Sequence, residues 1–369
     1  MTVVLSSCMP DSQGQDHGGT DAGPPVCIDF STNAHPLGPN PWVWAAVRQS
    51  DLEAYPDPTY TALRGTLAAL HAVAPERIVV GASASELIWR LSGAFAQAAG
   101  QGPQVCVAAP TFGEYARAAV FWGLPVVAPH SLIDGAPTLR WLCRPNNPTG
   151  ASMPTEEVAA LARAGQQDGA WPLVVDLAYQ PFASLLAPHL DHHPGTLNTP
   201  WADQVVQLWS PNKLHGLTGV RGAYLVLPVD LPAAWQSDAL ARRAPSWVQG
   251  ADGVALLSAH AQAPALHSLQ QRHADLQACK AAQDIALQSA GWHLTPSPLH
   301  FGLAMPPEAL RPPVPAERWH THLRAHGIKL RRGDSFGLPG WVRLCVRPPA
   351  DVAKLIQLTH PMAHAATPS

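Results

Sequence analysis

Ser210, Lys213 and Arg221 fall in one short run, with Gly216-Leu-Thr-Gly219 between the lysine and the arginine. A lysine amine can bond a carbonyl, while a hydroxyl and a guanidinium can hold a phosphate. The spacing therefore suggests a ligand that carries both groups. A lone lysine is ordinarily a solvated surface charge, so the reading rests on the company this one keeps. Val205–Trp209 and Ala223–Leu227 are apolar runs of strand length on either side. Ser210 and Lys213 would then lie just beyond a strand end, where open α/β sheets place their ligands.

Two upstream runs have the same form. Leu142-Cys-Arg-Pro-Asn-Asn147-Pro-Thr-Gly150 and Leu173-Val-Val-Asp176-Leu-Ala-Tyr179 each begin aliphatic and end polar. A carboxylate such as Asp176 can keep a pyridine nitrogen protonated and make the ring an electron sink, and Asn147 and Tyr179 can hydrogen-bond a phenolic oxygen. Pyridoxal 5'-phosphate carries the aldehyde, the phosphate, the ring nitrogen and the phenolic oxygen together. Taken singly, Asn-Pro-x-Gly is common turn chemistry and Asp176 could be a cap or half of an ion pair. The three motifs in this order make the cofactor reading much the stronger.

With these motifs the chain, from Ile28 to about Leu358, resembles a fold-type-I pyridoxal-phosphate enzyme of the class I/II aminotransferase superfamily. The resemblance is to the branch that holds histidinol-phosphate aminotransferase and the threonine-phosphate decarboxylase of cobalamin biosynthesis. It implies that Lys213 bonds the cofactor's aldehyde, that Ser210 and Arg221 hold its phosphate, and that Asp176 partners the ring nitrogen. It gives the phenolic oxygen to Asn147 and Tyr179. Phe112, in Pro110-Thr-Phe112, would stack on the ring. Tyr55, in Tyr55-Pro-Asp57, would reach the phosphate in a neighbouring subunit, which implies a homodimer. Ser83, Ala84 and Ser85 stand where relatives have a Gly-Asn-Gly cradle. Leu87, Leu91 and Phe95 follow at helical spacing, so this loop should open an amphipathic helix whose free amides bind the dianion.

On the substrate side, Arg343 matches the arginine that takes a carboxylate or a phosphate. Its planar fork suits either group. Arg331, aligned through Ser335-Phe-Gly-Leu-Pro339, is a better match than Arg332 to a phosphate-contacting arginine. Asn33 and His35 lie in the substrate-facing N-terminal motif, with His35 where relatives usually have Asn. The expected substrate is a small amino acid or amine, phosphorylated.

Composition agrees with a soluble enzyme. In 369 residues, 23 Lys and Arg against 26 Asp and Glu leave a formal charge of −3, which argues against a nucleic-acid partner. The cysteines at 8, 27, 106, 143, 279 and 345 include no Cys-x-x-Cys, as expected of reduced thiols in the cytoplasm. No apolar stretch is long enough for a bilayer, and the start lacks the basic region of a secretory signal. Asp191-His192-His193 reads as a solvated loop, not a metal site, and the 13 tryptophans as composition bias and packing.

The elements that must position these groups read as α/β with a largely parallel sheet. Residues 1–26 are expected to form a disordered tail. Residues 51–230 would form a large cofactor-binding domain, and 27–50 with 231–369 a smaller α/β domain. The reaction itself divides the reading, because the bond that breaks is set by how the substrate is held. Ile28–Asn33, Phe112–Ala118 and the Ser85 hydroxyl resemble the decarboxylase branch, whereas Tyr179 resembles the aminotransferases. Threonine-phosphate decarboxylation is the leading expectation and a histidinol-phosphate or related aminotransferase the alternative.

Overall fold

The computed structural model describes residues 18–167, 171–186, 195–311 and 314–365. Asp191, His192 and His193 lie outside them, as do residues 1–17 of the expected tail. The chain begins with β1 (Ile28–Asp29), α1 (Pro41–Arg48) and α2 (Thr61–His71). Then come β2 (Ile78–Gly81), α3 (Ala84–Ala98), β3 (Gln104–Val107), α4 (Glu114–Phe121), β4 (Val126–Val127) and β5 (Thr138–Cys143). The large domain continues with α5 (Thr155–Gln167), β6 (Val174–Asp176), α6 (Gln180–Leu186), β7 (Val206–Trp209) and β8 (Ala223–Val226). After it follow α7 (Ser237–Ala241), α8 (Ala251–His260), α9 (Ala263–Gln271), α10 (His273–Ser289), β9 (His293–Leu294) and β10 (Phe301–Met305). The last elements are α11 (Ala316–Ala325), β11 (Ile328–Lys329), β12 (Arg331–Arg332), β13 (Val342–Cys345) and α12 (Pro349–Ala365).

Seven strands form the main sheet in the order β2-β8-β7-β6-β5-β3-β4. Only β8 runs against its neighbours, so β2, β3, β5, β6 and β7 all end at one edge. Alternate residues of β2, β6, β7 and β8 feed two cores, as a pleat demands. Val79, Val105, Leu139, Val174 and Leu208 face α3 and α4, while Ile78, Val80, Val175, Val205 and Tyr224 face α1, α2 and α8. The strands are short, aliphatic and buried on both faces, as a sheet covered on both sides requires. Helix α3 starts where Ser83 Oγ accepts from the Glu86 amide at 3.1 Å, a side-chain cap. Leu87, Leu91 and Phe95 then point into the core.

The smaller domain has an antiparallel sheet, β12-β13-β10-β9, and a parallel pair of β1 with β11. Phe30, Trp292, Trp319 and Leu355 pack behind them. From Gly18 onward the irregular segment before β1 is tied to this domain: Asp21 bridges Arg324 and Lys329 at 2.5 and 2.7 Å. Helices α1 and α8, on the small-domain side of the expected boundaries, pack into the large-domain core. The helical text from Ala263 to Ala290 is broken at Arg272. Its guanidinium donates to the carbonyls of Leu37, Gly38 and Pro39. A fourth cluster, with Tyr179, Phe182, Leu214, Leu299 and Phe301, joins the two domains.

Candidate active site

Five strand ends, the first of them through the start of α3, converge on one open cleft. The turn after β2 brings Ser83, Ala84 and Ser85, and the loop after β3 brings Phe112. Asn147 follows β5, Asp176 ends β6 with Tyr179 just beyond it, and Ser210, Lys213 and Arg221 follow β7. All ten therefore line one cavity. The lysine-bearing turn approaches the chain entering α1 closely. Gly216 has φ +66°, and a Cβ there would lie 2.6 Å from the Gly38 carbonyl oxygen. Only glycine meets both conditions. The amides of His35 and Asn40 donate to the carbonyls of Lys213 and His215, each at 2.9 Å.

At the floor, Asp176 is buried and accepts from Tyr115 Oη at 2.7 Å and from the Ala178 amide at 3.0 Å. Burial raises its carboxyl above the usual range despite those two bonds and nearby Lys213. Tyr115 is itself fixed, stacked on Trp141 at 4.9 Å and edge-on to Phe112 at 5.7 Å. Cys143 lies beside Asp176 in register on β5, and burial pushes its thiol up to about 12. Withdrawal from water pulls the Lys213 amine below its ordinary value, opposed by Asp176 and reinforced by Arg221. Its Nζ lies 5.5 Å from the centre of the Tyr179 ring.

The remaining expected residues stand off this wall. Arg343 is buried and donates to Asn147 Oδ1 at 2.5 Å and to the Ser31 carbonyl at 2.6 Å. Arg331 sits directly opposite it across β12 and β13. Both guanidiniums lie over the Phe336 ring, at 4.6 Å for Arg331 and 5.9 Å for Arg343. Asn33 reaches the cavity through Tyr179, donating to its hydroxyl at 3.2 Å. His35 points elsewhere: its Nδ1 accepts from the Leu37 amide at 3.3 Å and its ring lies 6.0 Å from that of Phe182. Burial, helped by Arg272, lowers its pKa to about 3. Tyr55 is 78% exposed and stacks on Trp247, away from its own chain's cavity.

The family model for aminotransferase class I and II matches residues 25–358. The chain belongs to this family. Among its class I and II relatives, the histidinol-phosphate aminotransferase of Rhodospirillum rubrum is 33% identical over 347 residues, covering 88% of this chain and 87% of that one. The fold matches that of the L-threonine-O-3-phosphate decarboxylase of Porphyromonas gingivalis, with a TM-score of 0.71 at 20% identity over 91% of this chain and 99% of that one. It likewise matches the histidinol-phosphate aminotransferase of Sinorhizobium meliloti in complex with pyridoxal 5'-phosphate, with a TM-score of 0.70 at 19% identity over 93% and 92%.

Class I and II aminotransferases are pyridoxal-phosphate enzymes, and so is this chain. The cavity fits that cofactor on its own chemistry. Ser210 is buried at its wall, and its Oγ has no hydrogen-bond partner among the described residues, which is costly for a buried hydroxyl unless a ligand completes it. Beside it the first turn of α3 presents backbone amides that a helix cannot satisfy internally, and Arg221 adds a cation. Two groups at this site lie outside the expected set: Tyr115, known from sequence only as part of the Phe112–Ala118 segment, holds Asp176, and Cys143 lies beside that carboxylate. The sequence carries no signal that ties Tyr115 to Asp176.

Proposed function

We propose that this enzyme acts on a small amino acid or amine that carries a phosphate, and that its leading reaction is loss of carbon dioxide from an amino-acid phosphate of the threonine-phosphate kind. The observation that carries this reading is the pair Arg331 and Arg343. Each planar guanidinium can take a carboxylate or a phosphate through paired hydrogen bonds. Two of them side by side on β12 and β13 suit a substrate with two anionic groups, and an amino-acid phosphate has both a carboxylate and a phosphate.

In this reading Ser210, Arg221 and the α3 amides hold the cofactor's phosphate, Phe112 covers its ring, and Asn147 and Tyr179 meet its phenolic oxygen. Bound there, pyridoxal phosphate supplies a carbonyl for the substrate's amine and a ring that accepts electrons. Asp176, withdrawn from water, is stabilised as an anion by a protonated ring nitrogen, and Tyr115 fixes which oxygen faces it. Lys213 Nζ, its basicity lowered, is suited to hold and deliver a proton at the substrate's Cα. The small-domain arginines orient the substrate and so decide which bond at Cα breaks. Asn33 steadies the Tyr179 hydroxyl. A cytoplasmic homodimer belongs to the same reading, supported by the exposed Tyr55.

The aminotransferase alternative is favoured by Tyr179 and by the Rhodospirillum rubrum relative's activity. One experiment separates the two: incubation with O-phosphothreonine and, separately, with histidinol phosphate plus 2-oxoglutarate, following carbon dioxide and glutamate. Carbon dioxide from the first is expected. Glutamate without carbon dioxide reverses the order of the readings, and neither product removes both.

A further inference from the structure

Trp247 is a bulky residue in a backbone conformation that such residues rarely adopt, with φ +50°. Its partner segment shows the same feature: Tyr60 has φ +53°. Strain of this kind persists only where the surroundings enforce it, and here the two segments enforce each other. The Tyr55 and Trp247 rings stack at 4.5 Å with 26° between their planes. Tyr60 Oη accepts from the Gln249 amide at 2.9 Å and donates to the Gln249 carbonyl at 3.1 Å. Between these ties Asp57 caps the turn, accepting from the amides of Thr59 and Thr61 at 2.9 and 2.7 Å. The buried Gln249 side chain in turn donates to the Arg221 carbonyl.

Yet the outer part of this clasp is open. Tyr55 is 78% and Trp247 44% exposed, and an aromatic stack in solvent, on a strained backbone, does little for its own chain's core. We propose that Trp247 is a positioning residue: it holds the Tyr55 ring so that the hydroxyl points outward to the cofactor phosphate of a second copy. Through Gln249 the same segment braces Arg221 at the chain's own phosphate site. The segment 247–249 thus serves two cavities at once, one through each neighbour. This inference rests on the proposed dimer and on the role given there to Tyr55.

The test uses the dimeric holoenzyme and reads cofactor retention, not turnover. Cofactor affinity is measured by equilibrium dialysis of pyridoxal phosphate for the parent, Tyr55→Phe, Trp247→Ala, Trp247→Phe and the Tyr55→Phe/Trp247→Ala double variant, with dimer state checked by sedimentation at the same concentration. Loss of one hydrogen bond to a charged phosphate corresponds to a roughly tenfold or greater weakening. Tyr55→Phe and Trp247→Ala should each weaken retention about that much, Trp247→Phe should restore it by keeping the stack, and the double variant should be no worse than either single change. Unchanged affinity in Trp247→Ala alongside a weakened Tyr55→Phe overturns the proposal and leaves the dimer reading standing. Additive losses in the double variant overturn it too, since Trp247 would then act by another route. Unchanged affinity in Tyr55→Phe itself removes the reading beneath it.

Discussion

Tyr115 does not itself line the cavity, yet it holds the carboxylate that does. Its hydroxyl donates to Asp176 while its ring is stacked on Trp141, so the carboxylate can neither rotate nor trade partners with water. Replacing it by Phe keeps the stack and deletes one charge-assisted hydrogen bond, worth roughly 1.5 kcal/mol. Tyr115→Phe is expected to keep its cofactor yet lose about tenfold in kcat, measured by steady-state kinetics beside an absorbance check of occupancy. At this scale the sequence was legible wherever a residue type answers to a chemical need. Lys213, Asp176 and Ser210 could be singled out because few other side chains suit the chemistry expected of them, and the three do line one cavity. Tyr115 could not be assigned to Asp176 this way, since nothing in a lone tyrosine says which carboxylate, 61 positions away, it will meet. His35 was legible as a member of a substrate-facing motif, but its contacts with Phe182 and the Leu37 amide were not, since they join parts of the chain that no motif links.

Among the elements, the strand ends carry the logic. The aliphatic runs before Asn147, Asp176 and Ser210 become β5, β6 and β7, neighbours in the sheet, which is why groups far apart in sequence share one cleft. Pairing order and the reversed β8 were not legible, because alternation reports a buried face and says nothing about which strand lies alongside. The turn after β7 is a tight junction. At Gly216 the left-handed backbone and the Gly38 carbonyl together exclude a side chain, so Gly216→Ala should lower stability by about 1–2 kcal/mol from the backbone alone, with more from the clash. A downward shift of the urea midpoint at unchanged slope would register it. A variant as stable as the parent would mean that the turn and the α1 entry can move apart freely.

For the whole molecule, the proposed homodimer is open to a direct test. If Tyr55 serves the partner's cavity, Lys213→Ala and Tyr55→Ala enzymes, each inactive, should regain about a quarter of parental activity when their subunits are exchanged at equal amounts: half the dimers are then mixed, and each has one intact site. Mixtures that stay inactive although exchange is complete would place Tyr55 outside the partner's site. The large-domain limits read from sequence separate elements by chain position, but α1 and α8 answer to the core they bury, whatever lies between them in the chain. That packing bears on the stretch from Asn33 to Asn40, which leaves the small domain and runs into α1. Its His35 and Asn40 amides are bonded to the very turn that carries Lys213. The connection is thus pinned to the backbone of the lysine itself: were the small domain to carry its arginines toward a substrate, the pull would reach Lys213 through the same two bonds.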